Sequence, residues 1–293
     1  MTANNDSVSE IPRKDIDMDA ESFAHGGFGE VYKAKWRHKS IVVKVIKTHD
    51  DEEREDVMRE AKLTFLLKHK NVINLFGITP VTNKQLGIVM EEAEHGSLDM
   101  WIGKVDQEQL TKIALGIVVG LTYVHSQNVM HRDIKPKNIL MFGPKDDMIP
   151  KIADFGSAKI IKRVTQNTKV GDVHYMAPEV AQYQQYGFPA DIFSLAVMLF
   201  EMFNEQLMSQ APVEVKRFIS SAQSPGGKVA KTPKSSKVPA CLRQIIERGL
   251  NGKPELRPTP GEYQAALHGK YCLLYNYVNL LKRSIPVNWK TTV

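Results

Sequence analysis

The stretch His131-Arg132-Asp133-Ile134-Lys135-Pro136-Lys137-Asn138, followed sixteen residues after Asn138 by Asp154-Phe155-Gly156, constrains this chain more than any other. An Asp, a Lys, an Asn and a second Asp fall within 22 positions. These are the groups needed to move a phosphoryl group. One carboxylate serves the attacking hydroxyl, an ammonium meets the moving charge, and two hard oxygens suit Mg²⁺. Singly, each of Asp133, Asn138 and Asp154 also reads as a turn former. As an ordered set they point to chemistry.

At 293 residues the chain can bury a large core and is expected to divide into two unequal lobes. Its longest apolar runs, Ile113 to Val119 with an extension to Val124 and Phe193 to Phe203, are too short to span a bilayer. Met1 to Glu10 is polar and lacks a basic start followed by an apolar block, so no secretory signal is read there. Cys241 and Cys272 make neither a disulfide framework nor a metal-ligand spacing. Together these features fit an intracellular, cytoplasmic chain without a membrane span. The net charge of +6 matters mainly for its position, because Lys228, Lys231, Lys234 and Lys237 crowd a Ser/Pro/Gly-rich stretch at 220–239. That composition predicts a mobile, solvated basic insert. No aromatic residues interleave the lysines, so no nucleic-acid partner is expected.

The pattern predicts a tail over 1–14, a small β-rich lobe over 15–92, a larger helical lobe over 93–285 and a tail over 286–293. Composition shifts at Ala93 to Ser97, which reads as the hinge. Val31 to Trp36 and the β-branched run Ser40 to Ile46 read as strands joined by Arg37-His38-Lys39. Asp50 to His69 turns to helical spacing with acids at its start. Val72 to Thr79 and Leu86 to Glu91 are further strand candidates. In the larger part, Leu110 to His125 and Asp191 to Asn204 are apolar nearly all round, as buried helices are. Ile139 to Met141 and Ile149 to Ile152 flank a polar hairpin at Gly143 to Met148, and Leu242 to Leu250 and Pro260 to His268 are shorter helices.

Ala24-His25-Gly26-Gly27-Phe28-Gly29-Glu30-Val31 is a glycine-rich turn between strands, where backbone amides can approach phosphate oxygens without a Cβ in the way. A plain glycine hairpin would read the same. No helix begins at Gly29, so it is not the dinucleotide fingerprint. Fifteen residues past Gly29, Lys44 interrupts an apolar strand. An ammonium there is costly unless paired, and Glu60 on the following helix is the natural partner. An outward-facing lysine is the plainer alternative.

Gly-Phe-Gly-x-Val, Val-Val-Lys, a helix glutamate, His-Arg-Asp-x-Lys-Pro-x-Asn, Asp-Phe-Gly and Ala-Pro-Glu, in that order, resemble a eukaryotic protein kinase from about Ala20 to Leu267. Asn74-Leu75-Phe76-Gly77 and Tyr175-Met176-Ala177-Pro178-Glu179 are similar to the serine/threonine, tyrosine-kinase-like group. The resemblance implies an α+β fold with a bilobal arrangement and an ATP- and Mg²⁺-dependent enzyme, with Mn²⁺ as a possible substitute. It implies that Lys44 holds the α- and β-phosphates with Glu60 orienting it. Asp133 would accept the hydroxyl's hydrogen bond, Lys135 would neutralise the γ-phosphoryl, and Asn138 and Asp154 would ligate the metal. Lys135 further implies a protein substrate with a Ser or Thr acceptor. Ala24, Gly26, Gly27, Phe28 and Gly29 would cover the phosphates. Val31, Val42 and Leu140 would sandwich adenine, with Met90 at the gatekeeper position and Glu91, Glu92 and Ala93 offering hinge backbone groups. Thr64, Leu75, His131 and Phe155 match the regulatory spine. Glu179 with Arg257, and Asp191, match structural braces of the larger lobe. Thr165 and Thr168 would be activation-segment sites for an upstream kinase or for trans-autophosphorylation, with Arg132 receiving the phosphate.

Three positions depart from the pattern. Ala24 replaces the first glycine of the turn, and Thr64 is small and polar for a spine residue. Gly171-Asp172 stands where the family has Gly-Thr, so a second carboxylate either faces Asp133 and Lys135 or turns outward. An ATP-binding, pseudokinase-like scaffold is therefore the alternative reading.

Overall fold

The computed structural model describes residues 8–26, 29–160, 171–224 and 231–268. The β-branched run after Trp36 forms the centre of a six-stranded antiparallel sheet. Its strands are β1 (Ile16–Met18), β2 (Ala24–Gly26), β3 (Gly29–Trp36) and β4 (Lys39–Lys47), then β5 (Leu75–Thr82) and β6 (Gln85–Glu91) after helix α1 (Asp51–Leu66). The order is β1-β3-β4-β6-β5, with β2 also on β3. Reciprocal hydrogen bonds cap α1: Asp50 accepts from the amide of Glu53 at 2.8 Å, and Glu53 accepts from that of His49 at 2.7 Å. Its apolar residues Val57 and Ala61 bury against Leu75, Ile78, Leu86 and Ile88, which sets α1 beside the sheet with Glu60 facing Lys44.

The larger lobe is mainly helical: α2 (Gln107–Ser126), α3 (Pro178–Ala181), α4 (Phe188–Asn204), α5 (Val213–Gln223), α6 (Ala240–Gly249) and α7 (Pro260–His268). Every residue of α4 from Ala190 to Asn204 is buried, which explains its all-round apolar sequence. Two small ribbons lie under the lobe junction: β7 (Val129–Met130) with β10 (Lys159–Ile160), and β8 (Ile139–Phe142) with β9 (Ile149–Ile152). Among the described residues, no helix is long and apolar enough to cross a membrane.

Three expectations are corrected. Residues 8–14, read as tail, are built into the small lobe. The amide of Ile11 donates to Ile78 at 2.7 Å, that of Ile78 donates to Ser9 at 3.0 Å, and Ile11 is buried. An exposed β5 edge and a buried apolar side chain are reason enough for this added segment, which bridges the sheet at Glu10 and Ile78. Val72 and Ile73 begin no strand of the small sheet; Val72 bridges to Ile152 and both pack into the larger lobe's core. The basic insert is largely ordered: 220–223 finish α5, and Glu247 accepts from the amide and hydroxyl of Thr232 at 2.6 and 2.7 Å. Lys237 pairs with Glu205 at 2.7 Å, and Val238 is buried. Lys228 lies outside the described residues, as do Thr165, Thr168, Cys272 and the expected tail 286–293. Helix α5 went unread in the sequence because its four buried positions, Val215, Phe218, Ile219 and Ala222, sit within a mostly polar stretch.

Candidate active site

The glycine turn is closed by the pairing of Ala24 with Val31, His25 with Glu30 and Gly26 with Gly29. Gly29 has φ +137°, and a Cβ there would lie 2.3 Å from the carbonyl oxygen of Val45. Only glycine fits. Gly27 and Phe28 lie outside the described residues.

Lys44 sits opposite Val31 and Ile88 in the sheet, and its ammonium lies 2.9 Å from Asp154 and 3.7 Å from Glu60. The plain alternative, an outward surface lysine, is excluded by that burial and pairing. Burial pushes the Glu60 carboxyl above its usual range against the pull of Lys44. Burial also disfavours the Asp154 anion, but the charge and hydrogen bond of Lys44 outweigh it and hold its carboxyl low. For Lys44, burial is opposed by two carboxylates, and its pKa is raised. A Cβ on Gly156 would meet Glu60 Oε2 at 3.1 Å, so this glycine lets the glutamate seat against the turn after Asp154. Nothing in the local sequence marks that contact.

The turn after β7 supplies the second cluster. Lys135 Nζ lies 2.9 Å from Asp133 Oδ2, and the Asn138 carboxamide nitrogen donates to the Asp133 carbonyl at 2.7 Å and to Oδ2 at 2.8 Å. Buried Asp191 accepts from the amides of His131 and Arg132, both at 2.8 Å, and from His125 at 2.8 Å. Burial alone would raise its pKa, but these donors hold it low. His131 Nε2 donates to the carbonyl of Ala153 at 3.0 Å, while the amide of Ala153 donates to that of Asn138 at 2.8 Å. Those two bonds tie the Asp154 turn to the Asp133 turn. Phe155 is buried with its ring edge-on to His131 at 4.8 Å. Leu75 and Thr64 are also buried, and the Thr64 hydroxyl donates back to the Glu60 carbonyl at 3.0 Å.

Met90 pairs with Val42 across the sheet, and Met90, Ala93 and Leu140 pack against one apolar core. Both acidic side chains of the hinge are engaged elsewhere. Glu92 pairs with Lys33 at 2.8 Å; Glu91 pairs with Lys151 at 2.6 Å and accepts from the amide of Asn74 at 2.7 Å. Lys151 was not singled out in the sequence, where it reads as one polar position of a short strand.

Asp172 is engaged by His174, while remaining near enough to Lys135 to feel its charge. Its carboxylate accepts from the amide of His174 at 3.1 Å and lies 3.0 Å from the imidazole Nδ1, while its own amide donates to Asp133 Oδ1 at 3.2 Å. Partial burial raises its carboxyl, and the two His174 donors more than offset this, so its pKa is lowered. Arg132 donates to the Ser157 carbonyl and the Tyr186 hydroxyl. Arg257 and Glu179 form a buried two-pronged pair at 2.6 and 2.7 Å.

A family profile described as "Protein kinase domain" matches residues 19–272. Serine/threonine-protein kinase VIK of Arabidopsis thaliana is 29% identical over 269 residues, covering 85% of this chain and 59% of that protein. Mitogen-activated protein kinase kinase kinase 10 of Xenopus laevis is 31% identical over 264 residues, covering 85% of this chain and 26% of that protein. A mitogen-activated protein kinase kinase kinase 7-like protein of Drosophila melanogaster is 29% identical over 273 residues, with 90% and 68% covered. The chain thus spans less than two thirds of the length of the first two relatives named. By its profile match, its bilobal fold and its serine/threonine kinase relatives, this chain belongs to the protein kinase domain family, in keeping with the tyrosine-kinase-like resemblance of its sequence.

Proposed function

We propose that this domain transfers the γ-phosphoryl of ATP to a Ser or Thr hydroxyl of a protein, with Mg²⁺ as cofactor. The observation that carries this reading is the Asp133–Lys135 contact at 2.9 Å, with the Asp172 carboxylate bonded to His174 instead of to Lys135. Asp133 is oriented by Asn138 and by the amide of Asp172, so one oxygen is steadied for the incoming hydroxyl. Lys135 stands beside it to meet charge on the transferring group. Lys44, held by Glu60 and Asp154, is placed to grip phosphate oxygens under the glycine turn. The donor set fits Mg²⁺, or Mn²⁺ in its place. The Asn138 nitrogen is spent on Asp133, which turns its hard Oδ1 the other way, and Asp154 is kept anionic. Bound there, the metal would neutralise charge on the phosphates. Adenine would lie among Val31, Val42, Leu140, Met90 and the backbone of 91–93. The engagement of Asp172 by His174 favours transfer over the scaffold reading.

Phosphorylation at Thr165 or Thr168, received by Arg132 at the base of the segment, belongs to the same proposal. Mass spectrometry after incubation with MgATP tests it: active enzyme carrying no phosphate at either site would remove this element. The whole proposal is tested with purified chain, Mg²⁺, labelled ATP and generic Ser/Thr and Tyr acceptors, beside an Asp133→Asn control. Label on Ser/Thr acceptors in the native chain alone is expected. Transfer persisting in the control would overturn the role of Asp133, and nucleotide binding without transfer would restore the scaffold.

A further inference from the structure

We infer that Gln223, the last residue of α5, is a positioning residue that holds the protein acceptor's side of the site. The inference rests on the transfer reaction proposed above. The stretch Asp172 to Met176 lies directly over the catalytic turn. Its first amide donates to Asp133 Oδ1, and a Cβ on the preceding Gly171, at φ +105°, would meet the Arg132 carbonyl oxygen at 2.6 Å. This stretch contributes to no helix or strand; the Asp172 carbonyl accepts from the amide of Tyr175 at 3.0 Å, and the others must find donors elsewhere.

The Gln223 carboxamide nitrogen meets that need at three points. It donates to the carbonyls of Val173 at 2.9 Å and Met176 at 3.0 Å, with that of His174 at 3.3 Å. The Ser194 hydroxyl takes the Tyr175 carbonyl at 2.8 Å, and the Tyr175 hydroxyl donates to Glu201 at 2.8 Å. Gln223 is itself steadied. Phe218 and Ile219 of the same helix are buried, and the Phe218 ring packs 5.1 Å from that of Phe200 in α4.

While its backbone is pinned and Met176 is buried, the stretch keeps two side chains open: Val173 is 56% exposed and the His174 side chain 58%. Fixed main chain with open side chains directly beside Asp133 is what a protein acceptor requires for docking. Gln223 makes no contact with Lys44, Glu60 or Asp154, so nucleotide handling should not depend on it. The three carbonyls it holds belong to Val173, His174 and Met176, C-terminal to Thr165 and Thr168.

The test compares Gln223→Ala with Gln223→Lys, which restores a nitrogen donor, using dephosphorylated casein as acceptor. Gln223→Ala should raise the KM for casein about tenfold with kcat and the KM for ATP changed by less than about twofold. Gln223→Lys should recover most of the loss. In nucleotide-free protein, amide exchange across 172–177 should quicken about tenfold in Gln223→Ala and in no other part of the larger lobe. Unchanged exchange at 172–177 would overturn the inference, as would equal rises in the KM for ATP and casein. The exchange measurement needs no turnover. A native chain that binds nucleotide without transfer would sink the proposed reaction, while exchange still decides whether Gln223 pins the loop.

Discussion

Lys44, Glu60 and Asp154 reach one another from three separate elements, with Lys44 and Asp154 standing 110 positions apart, whereas Asp133, Lys135 and Asn138 are neighbours in one turn. The proposed nucleotide side is an assembly across the lobe junction. Its geometry depends on where α1 sits and on the turn after Asp154. The proposed acceptor side is a local construction, steadied from below by Asp191 and from above by the amide of Asp172. A change remote from Lys44 can therefore disarm the first half, while the second resists everything but changes within it or its immediate braces.

The sharpest break is Asp133→Asn. It should lower single-turnover transfer about 10²- to 10⁴-fold while leaving nucleotide-dependent thermal stabilisation intact. Similar loss on both readouts would mean that the two halves are not separate. Glu60→Gln should act in the opposite half. Losing the ionic hold on Lys44 predicts roughly 10- to 100-fold weaker transfer, visible also as weaker nucleotide stabilisation. Amide protection around His131 to Asn138 should be unchanged.

Gly77→Ala reaches the nucleotide side from further away. A Cβ there would meet the Ser9 carbonyl oxygen at 2.3 Å and Ile11 at 3.1 Å, so the added N-terminal segment must shift. We expect about 1–3 kcal/mol of stability lost in urea unfolding, with quicker exchange at Ile11 and Ile78. Unaltered protection there would show that residues 8–12 do not brace this lobe.

The last comparison belongs to Glu201, beneath the acceptor side, where the effect is confined to a pH window. Burial pushes its carboxyl up to about 7, opposed by hydrogen bonds from the Met208 amide and the Tyr175 hydroxyl. A carboxyl raised in the folded state favours folding most below its unfolded value of about 4.5, and that contribution is lost as pH rises through about 7. Native stability relative to Glu201→Gln should therefore decline across that window, by at most about 1.4 kcal/mol per pH unit. A difference independent of pH would remove the titration.

The pattern of what could be read follows the same division. The Asp133 turn was legible because its groups are adjacent in the chain and their chemistry needs no partner to be recognised. α2, α4 and α7 were legible because long apolar periodicity, or a proline start, acts within one segment. The hold of Gln223 on the acceptor loop was not, because a glutamine at the end of a polar-looking helix carries no local mark of the carbonyls it will meet. Residues 8–14 were read as tail because one buried isoleucine makes no pattern until a sheet edge lies beside it. The basic stretch at 231–238 looked solvated because its composition is polar, yet Glu247, Glu205 and Asn204 supply partners from other elements.

By itself, the sequence determined the family's ordered motifs, the two-lobe division and the local chemistry of the catalytic turn, since these depend on residue type and short spacing. The tertiary structure alone decided that Lys44 is paired rather than exposed, and that Asp172 turns to His174. Those outcomes depend on which side chains become neighbours after folding. Burial then sets the cost of leaving each charge without a partner.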